Sequence, residues 1–151
     1  MAASARKKSA SKAVDSPFKN FTPYKPRKNE AYMSEKQMAH FRQILSAWRQ
    51  ELMEEVDRTV GHMKSDSVHC PDPNDRATQE TDISLELRTR DRERKLLGKI
   101  DQTLRKLDDH EYGYCERCGT EIGIRRLEAR PTADLCIDCK TRAEQHEAQH
   151  A

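Results

Sequence analysis

The stretch CPDPNDRA, residues 70–77, places two prolines between two long segments whose apolar residues recur at helical spacing. Before this stretch, steps of three and four residues separate Met38, Phe41, Leu45, Trp48, Leu52, Val56, Val60 and Met63. After it, a second seam consists of Leu97, Ile100, Leu104 and Leu107 and extends back toward Ile83 and Leu87, although Arg90 and Arg94 fall on the same face. Because proline breaks a helix and restricts the residue before it, the two seams predict an antiparallel helical hairpin.

The predicted hairpin begins at Ser34-Glu35-Lys36-Gln37, which has the pattern of a capping box, and its second helix covers about residues 76–109. At 1.5 Å per residue, helices of about 30 residues make a rod roughly 45 Å long. A rod buries one stripe and suits a chain that is 36% charged and 34% hydrophobic. A helical bundle would need further long amphipathic helices, and the bend disfavours a parallel coiled coil between chains.

Four cysteines near the C-terminus follow the pattern C-x2-C, seventeen residues, C-x2-C: Cys115, Cys118, Cys136 and Cys139. This spacing is typical of a four-thiolate zinc site, in which each pair turns both sulfurs toward one ion. A redox C-x2-C site needs one pair in a thioredoxin-like unit, and two disulfides are unfavourable in a reducing compartment. Four thiolates leave no open position on the metal, so we expect one structural Zn²⁺ per chain.

A small module is expected to form around this metal. Its apolar core is predicted to contain Ile122, Ile124 and Leu127. Residues 134–149 are predicted to form a terminal helix that carries Cys136 and Cys139 in its first turn. Cys70 is interpreted as a lone thiol at the bend, and the six histidines as surface residues without ligand spacing.

The sequence therefore predicts a mainly α fold: a long antiparallel coiled-coil hairpin on a small four-cysteine zinc-finger module with a C-terminal helix. The expected segments are a basic, proline-containing and partly disordered arm at 1–32, the hairpin at 33–110 with an acidic tip at 70–77, and the zinc module at 111–151. Residues 1–29 contain eight Lys/Arg and one acid, whereas the remainder contains 20 bases and 25 acids. An acidic body argues against a protein that coats nucleic acid, although the arm could contact an acidic partner. No apolar run could span a bilayer, so we expect a soluble, intracellular protein.

Basic residues of the second helix and the zinc module could meet at the base of the hairpin. They are Lys95, Lys99, Arg125, Arg126, Arg130 and Lys140. If the fold brings them together, they would form a small pocket for phosphate groups. From the residues alone, pairing with neighbouring acids is the favoured interpretation, because exposed ion pairs are common.

Several stretches resemble the DksA/TraR zinc-finger family of bacterial transcription factors that bind RNA polymerase. They are AHFRQILSAWRQELMEEVDRTVGHM, PDPNDRA, SLELRTRDRERKLL and YCERCGTEIGIRRLEARPTADLCIDCKT. The resemblance covers about Tyr32 to Lys140 and leaves out the first 30 residues. The last stretch is long and contains all four cysteines, so it is highly specific.

The resemblance implies a non-enzymatic cytoplasmic regulator, monomeric and without sequence-specific DNA binding, whose hairpin enters the secondary channel of RNA polymerase. The family's tip motif D-x-x-D-x-A is present as Asp72, Asp75 and Ala77. The alarmone ppGpp would bind at the joint with polymerase, at positions that match Arg92, Leu96, Lys99, Arg130 and Lys140. With ppGpp, the protein would lower initiation at rRNA promoters and raise it at amino-acid biosynthesis promoters in the stringent response. The zinc ligands match the four cysteines already named.

Some features depart from the family, and other functions stay open. Cys70 stands where an aromatic residue is more usual, and Thr81-Asp82-Ile83 replaces a more acidic run. Asp72 and Asp75 could simply cap the second helix. A Gre-like accessory of transcript cleavage and a zinc-ribbon nucleic-acid-binding protein are the alternative functions, although the acidic body disfavours the second.

Overall fold

The computed structural model describes residues 21–65 and 72–150, with the side chains of 62–65 left aside. Four helices occur in these residues: α1 Glu35–Ser65, α2 Pro73–Asp108, α3 Ile124–Ala129 and α4 Ile137–His150. A single antiparallel bridge joins Tyr114 to Glu121 within the described part of the chain. The predicted fold class is therefore confirmed, since α1 and α2 pack together as a hairpin beside a cysteine-containing module. No described helix is long and apolar enough to cross a membrane.

The core lies at the base of the hairpin, where α1 and α2 meet the zinc module. Phe41, Leu45 and Ile100 are fully buried there, and Leu107 is nearly so. Ile44, which the predicted seam omits, is also buried, because α1 contacts both α2 and the module. Burying side chains of this size contributes about 1.5–3 kcal/mol each.

The apolar seam becomes more exposed toward the tip, as the cations within its second half indicate. Ile83 is 41% exposed and Leu87 is 49% exposed, while Val56 opposite them is half-buried. Arg90 and Arg94 lie on the same stretch of α2, so two of the positions that should carry apolar knobs carry cations. The distal hairpin consequently has less apolar burial than the base.

Both ends of α2 are closed by specific backbone geometry. The helix begins at Pro73, three residues before the predicted start, because Asp72 acts as the N-cap and accepts a 3.1 Å hydrogen bond from the Asn74 amide. It ends at Asp108, one residue before the predicted end. His110 has φ +59°, and the Glu111 amide donates to the Lys106 carbonyl at 2.9 Å, which is a Schellman ending.

The start of α1 differs from the predicted capping box. Gln37 does reach back, but its Oε1 accepts from the Met33 amide at 2.8 Å and not from the Ser34 amide. The Ser34 hydroxyl donates to Glu30 at 2.7 Å, so it does not cap the helix with its side chain. The arm that precedes α1 folds against the start of the helix. Because Gln37 bonds to Met33 and Ser34 bonds to Glu30, the two side chains do not form the predicted capping box.

Helix α4 also begins later than predicted, at Ile137 and not at 134. Cys136 therefore precedes the helix, whereas Cys139 lies in its first turn and is buried. The Cys136 sulfur accepts from the Cys139 amide at 3.5 Å, in the position of an N-cap acceptor. A predicted metal ligand thus occupies the place where the terminal helix starts.

Candidate metal centre and phosphate pocket

The four cysteines converge, although they come from two separate parts of the chain. Cys115 and Cys118 lie on the turn after α2, where Gly119 adopts φ +71° and donates to the Cys115 carbonyl at 2.8 Å. Glycine suits this left-handed conformation because it has no Cβ. The four sulfur atoms lie within 4.8 Å of one another, and all four cysteines are free thiols. The Sγ atoms of Cys118 and Cys136 are 3.7 Å apart, well beyond a disulfide bond.

The electrostatics of this quartet fit a divalent cation. Backbone amides, with that of Cys136 first, lower the pKa of Cys115 to about 6. The Thr120 hydroxyl and amide lower the pKa of Cys118. Hydrogen bonding from the neighbouring thiols, with Cys136 first, raises the pKa of Cys139 to about 12. Four sulfurs this close cannot all ionise without a compensating charge, and a thiolate-binding ion such as Zn²⁺ supplies it.

The zinc module packs firmly on the hairpin base. Tyr112 is 3% exposed, its hydroxyl donates to the Pro131 carbonyl at 2.8 Å, and its ring lies 5.5 Å from that of Phe41. The Lys106 ammonium contacts Glu116 and lies 2.7 Å from Asp134. Burial alone would lower the pKa of Lys106, but the two carboxylates outweigh burial and raise it. The position of the module relative to α2 is therefore fixed by apolar packing and by an ion-pair bridge.

Residues 21–34 of the N-terminal arm join the two parts from the other side. The Tyr32 hydroxyl donates to the Gly113 carbonyl at 2.8 Å and accepts from the Gly123 amide at 3.1 Å. The Tyr24 amide donates to Glu128 on α3 at 2.5 Å. These contacts tie the arm directly to the zinc module. Residues 1–20, which carry most of the arm's predicted positive charge, lie outside the described residues.

His40 is a partly buried exception to the expectation that all histidines are surface residues. Its side chain is 16% exposed, its Nε2 lies 3.2 Å from Oε1 of Glu128, and its ring contacts Phe21, Tyr24 and Phe41. Glu128 itself is 4% exposed. The sequence could not indicate this pair, because the two residues are 88 positions apart and neither lies in a local motif.

A cavity of about 400 Å³ opens between α2 and the zinc module. Lys99 of α2, Arg130 after α3 and Lys140 of α4 all line it, as the predicted phosphate pocket requires. Lys99 and Arg130 are exposed and have no acidic partner among the described residues, so the favoured interpretation of simple ion pairing does not hold for them. Lys140 does pair with Glu144, at 3.3 Å.

The other predicted positions of this pocket lie differently. Arg92 is exposed on α2 and Leu96 is half-buried against the core, and neither lines the cavity. Arg126 does line it, with its Nε donating to the Leu135 carbonyl at 3.1 Å. Glu116 and Asp134 also lie on the wall, where Lys106 pairs with both carboxylates and offsets part of their charge. The cavity therefore retains a positive face.

The tip residues lie at the far end of α2. Asp72 caps the helix, whereas Asp75 lies in the first turn, exposed and without an ion pair to any described residue. Ala77 is exposed on the next turn. About 24 residues of helix separate Asp75 from Lys99, a distance of roughly 36 Å along the axis. Cys70 lies outside the described residues.

Comparisons with known proteins agree with this arrangement. Residues 37–107 match the family model "DnaK suppressor protein DksA, N-terminal domain", and residues 110–145 match "Prokaryotic dksA/traR C4-type zinc finger". The RNA polymerase-binding transcription factor DksA of Escherichia coli (strain K12) is 64% identical over 129 residues, 85% of each chain. The protein of that name from Haemophilus influenzae is 63% identical over 129 residues, 85% of this chain and 89% of that one. The structure of transcription factor DksA2 from Pseudomonas aeruginosa aligns with a TM-score of 0.73 at 40% identity, over 78% of this chain and 90% of that one.

Proposed function

The chain belongs to the DksA family, and on this premise we propose that it binds RNA polymerase directly and regulates transcription initiation by placing its hairpin in the secondary channel. It acts without catalysis, as a monomer in the cytoplasm, and does not read a DNA sequence. The closed four-thiolate site supports a structural zinc. Bound zinc would hold Cys115, Cys118, Cys136 and Cys139 together, and so would fix the module that seats the hairpin.

The observation that carries this proposal is the position of Asp75. α2 has 36 residues, about 54 Å of helix, and Asp75 lies in its first turn while the zinc module lies at its other end. Helix capping explains Asp72, but capping by Asp72 leaves the Asp75 carboxylate unused. A free carboxylate at the end of a narrow rod is suited to act inside a partner. There the carboxylate contacts one conformation of the partner more favourably than another, and so shifts the equilibrium between the two conformations.

The exposed apolar side chains in the distal part of α2 support a polymerase contact between tip and base. Leu85 is 55% exposed and Leu87 is 49% exposed, so the distal hairpin presents apolar side chains to solvent. Apolar groups of this size lose water favourably when a partner covers them. A polymerase contact along this part of α2 would hold the hairpin in the secondary channel with its tip pointing inward.

We propose ppGpp as the ligand of the cavity between α2 and the zinc module. Lys99 and Arg130 are free to contact phosphate oxygens, and Lys140 is close by. The cavity is open on one side, so polymerase would complete the site. Arg92 lies seven residues before Lys99 and therefore on the same face of α2, with Leu96 between them. Neither residue lines the cavity, but both continue this face of α2 toward the tip, where polymerase would cover them.

On the family resemblance, we expect lower initiation at rRNA promoters and higher initiation at amino-acid biosynthesis promoters when ppGpp is present. A Gre-like role in transcript cleavage is the alternative that the exposed tip carboxylate favours, since carboxylates bind Mg²⁺. Binding of nucleic acid as the main activity is less consistent with an excess of five acids over residues 30–151.

The variant Asp75→Asn tests the proposal. Asparagine caps helices as well as aspartate does, so the variant should fold and should co-purify with core polymerase in the absence of DNA. It should nevertheless lose control of initiation at an rRNA promoter in a purified transcription assay. Asp82→Asn makes the same chemical change seven residues further along α2 and should regulate like the parent.

Three results would contradict the proposal. If Asp75→Asn regulated initiation like the parent, the Asp75 carboxylate would be only a helix-capping group. If the parent protein did not co-purify with core polymerase, polymerase would not be its direct partner. Stimulated transcript cleavage in a stalled complex would assign the tip to the Gre-like alternative.

A further inference from the structure

The C-terminal end of α4 carries two histidines, one turn apart, whose rings lie together. The ring centroids of His146 and His150 are 4.4 Å apart with an interplanar angle of 48°, and both side chains are exposed. We propose that these two imidazoles form a second metal site, separate from the four cysteines, for a late first-row divalent ion such as Ni²⁺, Cu²⁺ or Zn²⁺. This site is independent of polymerase binding.

The spacing of the pair suits coordination. Residues four apart in an α-helix lie on the same face, and α4 continues as regular helix through His150. Two imidazole nitrogens at about 2.0–2.1 Å from one ion lie roughly 3 Å apart, which small side-chain rotations reach from the observed ring positions. Imidazole is a preferred ligand of nickel, copper and zinc, and water would complete the coordination.

The surroundings neither block the site nor complete it. Glu147 follows His146, and Arg142 lies one turn before it, so the two nearby charges offset each other. Glu144 is occupied by Lys140 at 3.3 Å. Both rings already face water, so an ion can bind without displacing packed side chains. Affinity would therefore come from the two imidazoles alone.

The pattern His146-Glu-Ala-Gln-His150 also has the form H-E-x-x-H, which occurs in zinc peptidases. A catalytic zinc needs a third protein ligand and a cleft for substrate. Among the described residues, the cysteine quartet is the one group of three or more metal-ligating side chains, and it does not include this pair. The site is thus an open, exchangeable binding site and not a peptidase centre.

The location makes the second site a neighbour of the first. Cys139 lies seven residues before His146 on the same face of α4, about 10 Å along the helix axis. The alternative interpretation is that the two imidazole rings only stack on each other and interact favourably with the carbonyl end of the helix. Metal binding separates these interpretations directly, because stacking needs no ion.

The test uses the untagged full chain with its cysteine site already loaded with zinc. Calorimetric titration with Ni²⁺ should show one further equivalent, and Cu²⁺ should give an electron paramagnetic resonance spectrum with two nitrogen ligands. His146→Gln or His150→Gln should weaken Ni²⁺ binding by about tenfold or more, as losses near metal sites commonly do. Each variant should also leave one nitrogen in the copper spectrum.

Two controls make the outcome decisive. The double variant Ala148→His, His150→Ala keeps the number of histidines but puts them two residues apart, on different faces, so it should bind as weakly as the single variants. His110→Gln removes an exposed histidine elsewhere and should bind like the parent. The proposal is overturned if the parent takes up no further equivalent, if the register variant binds like the parent, or if His146→Gln binds unchanged.

Discussion

Replacing Lys99 by alanine is the sharpest test of the cavity between α2 and the zinc module. Lys99 is exposed, lines the cavity and has no acidic partner among the described residues. Its removal should therefore leave the folded structure unchanged while it removes one positive charge from the proposed ppGpp site. The effect should appear when polymerase is present, because the protein supplies one side of the site.

The expected magnitude follows from the contacts that the ammonium group can make. A hydrogen bond to a charged group contributes about 1.5–3 kcal/mol, and the exposed position of Lys99 favours the lower value. Since about 1.4 kcal/mol corresponds to a tenfold change, half-maximal response should need roughly tenfold more ppGpp. Arg130→Ala should have a larger effect, because a guanidinium binds phosphate through two bonds. Lys140→Ala should have a smaller one, because Glu144 already competes for that ammonium.

The assay is transcription from a single rRNA promoter with purified polymerase, titrated with ppGpp at fixed factor concentration. Lys95→Ala is the matched control, since it removes the same charge one turn away on α2 from a residue that does not line the cavity. Competition binding to core polymerase should give the same affinity for both variants and the parent. If Lys99→Ala and Lys95→Ala respond to ppGpp alike, the cavity is not the ppGpp site.

Three further predictions concern the zinc module and the arm. Metal analysis should give one zinc per chain, and Cys136→Ser should lower that value and expose the hairpin base to protease, because structural zinc contributes folding free energy directly. Tyr32→Phe should destabilise the zinc-loaded protein to urea by about 1–3 kcal/mol, since the Gly123 amide loses its partner; Tyr114→Phe, 40% exposed, should have little effect. Hydrogen bonds from Ser34, Tyr24 and the Arg27 amide lower the pKa of Glu30 from 4.5 to about 2, so its stabilising effect is full above pH 4.5 and lost toward pH 2. The difference in urea midpoint between the parent and Glu30→Gln should therefore decrease as the pH falls from 4.5 toward 2. A difference that stays constant over this range would contradict the assignment.

The hairpin and the zinc quartet were predictable because both are encoded by spacing. Steps of three and four residues place Phe41 and Leu45 on one stripe, and C-x2-C places two sulfurs on one turn. The fixed φ of Pro73 and the capping preference of Asp72 likewise mark the start of α2 within three residues. Local chemistry determined each of these features, so the sequence was sufficient.

Other features depended on residues distant in the chain and were therefore missed. Ser34 turns to Glu30 and not to its own helix because the folded arm places that carboxylate within reach. His40 is buried because Glu128 lies beside it only in the folded state. Among the six basic residues predicted to meet, Lys95 and Arg125 do not line the cavity, since the orientations of α2 and α3 decide which side chains reach it. The His146 and His150 pair has the spacing H-E-x-x-H in the sequence, and the interpretation of all six histidines as residues without ligand spacing overlooked it.

The continuity of α2 has a mechanical consequence. One uninterrupted helix connects the cap at Asp72 to the Schellman ending beside the zinc module. Such a helix acts as a lever whose short end lies between Lys99 and the module and whose long end carries Asp75. Over about 54 Å, a pivot of about 5° at the base would swing the far end by roughly 5 Å. A ligand that shifts the base by about 1 Å can therefore swing the carboxylate sideways by several ångströms.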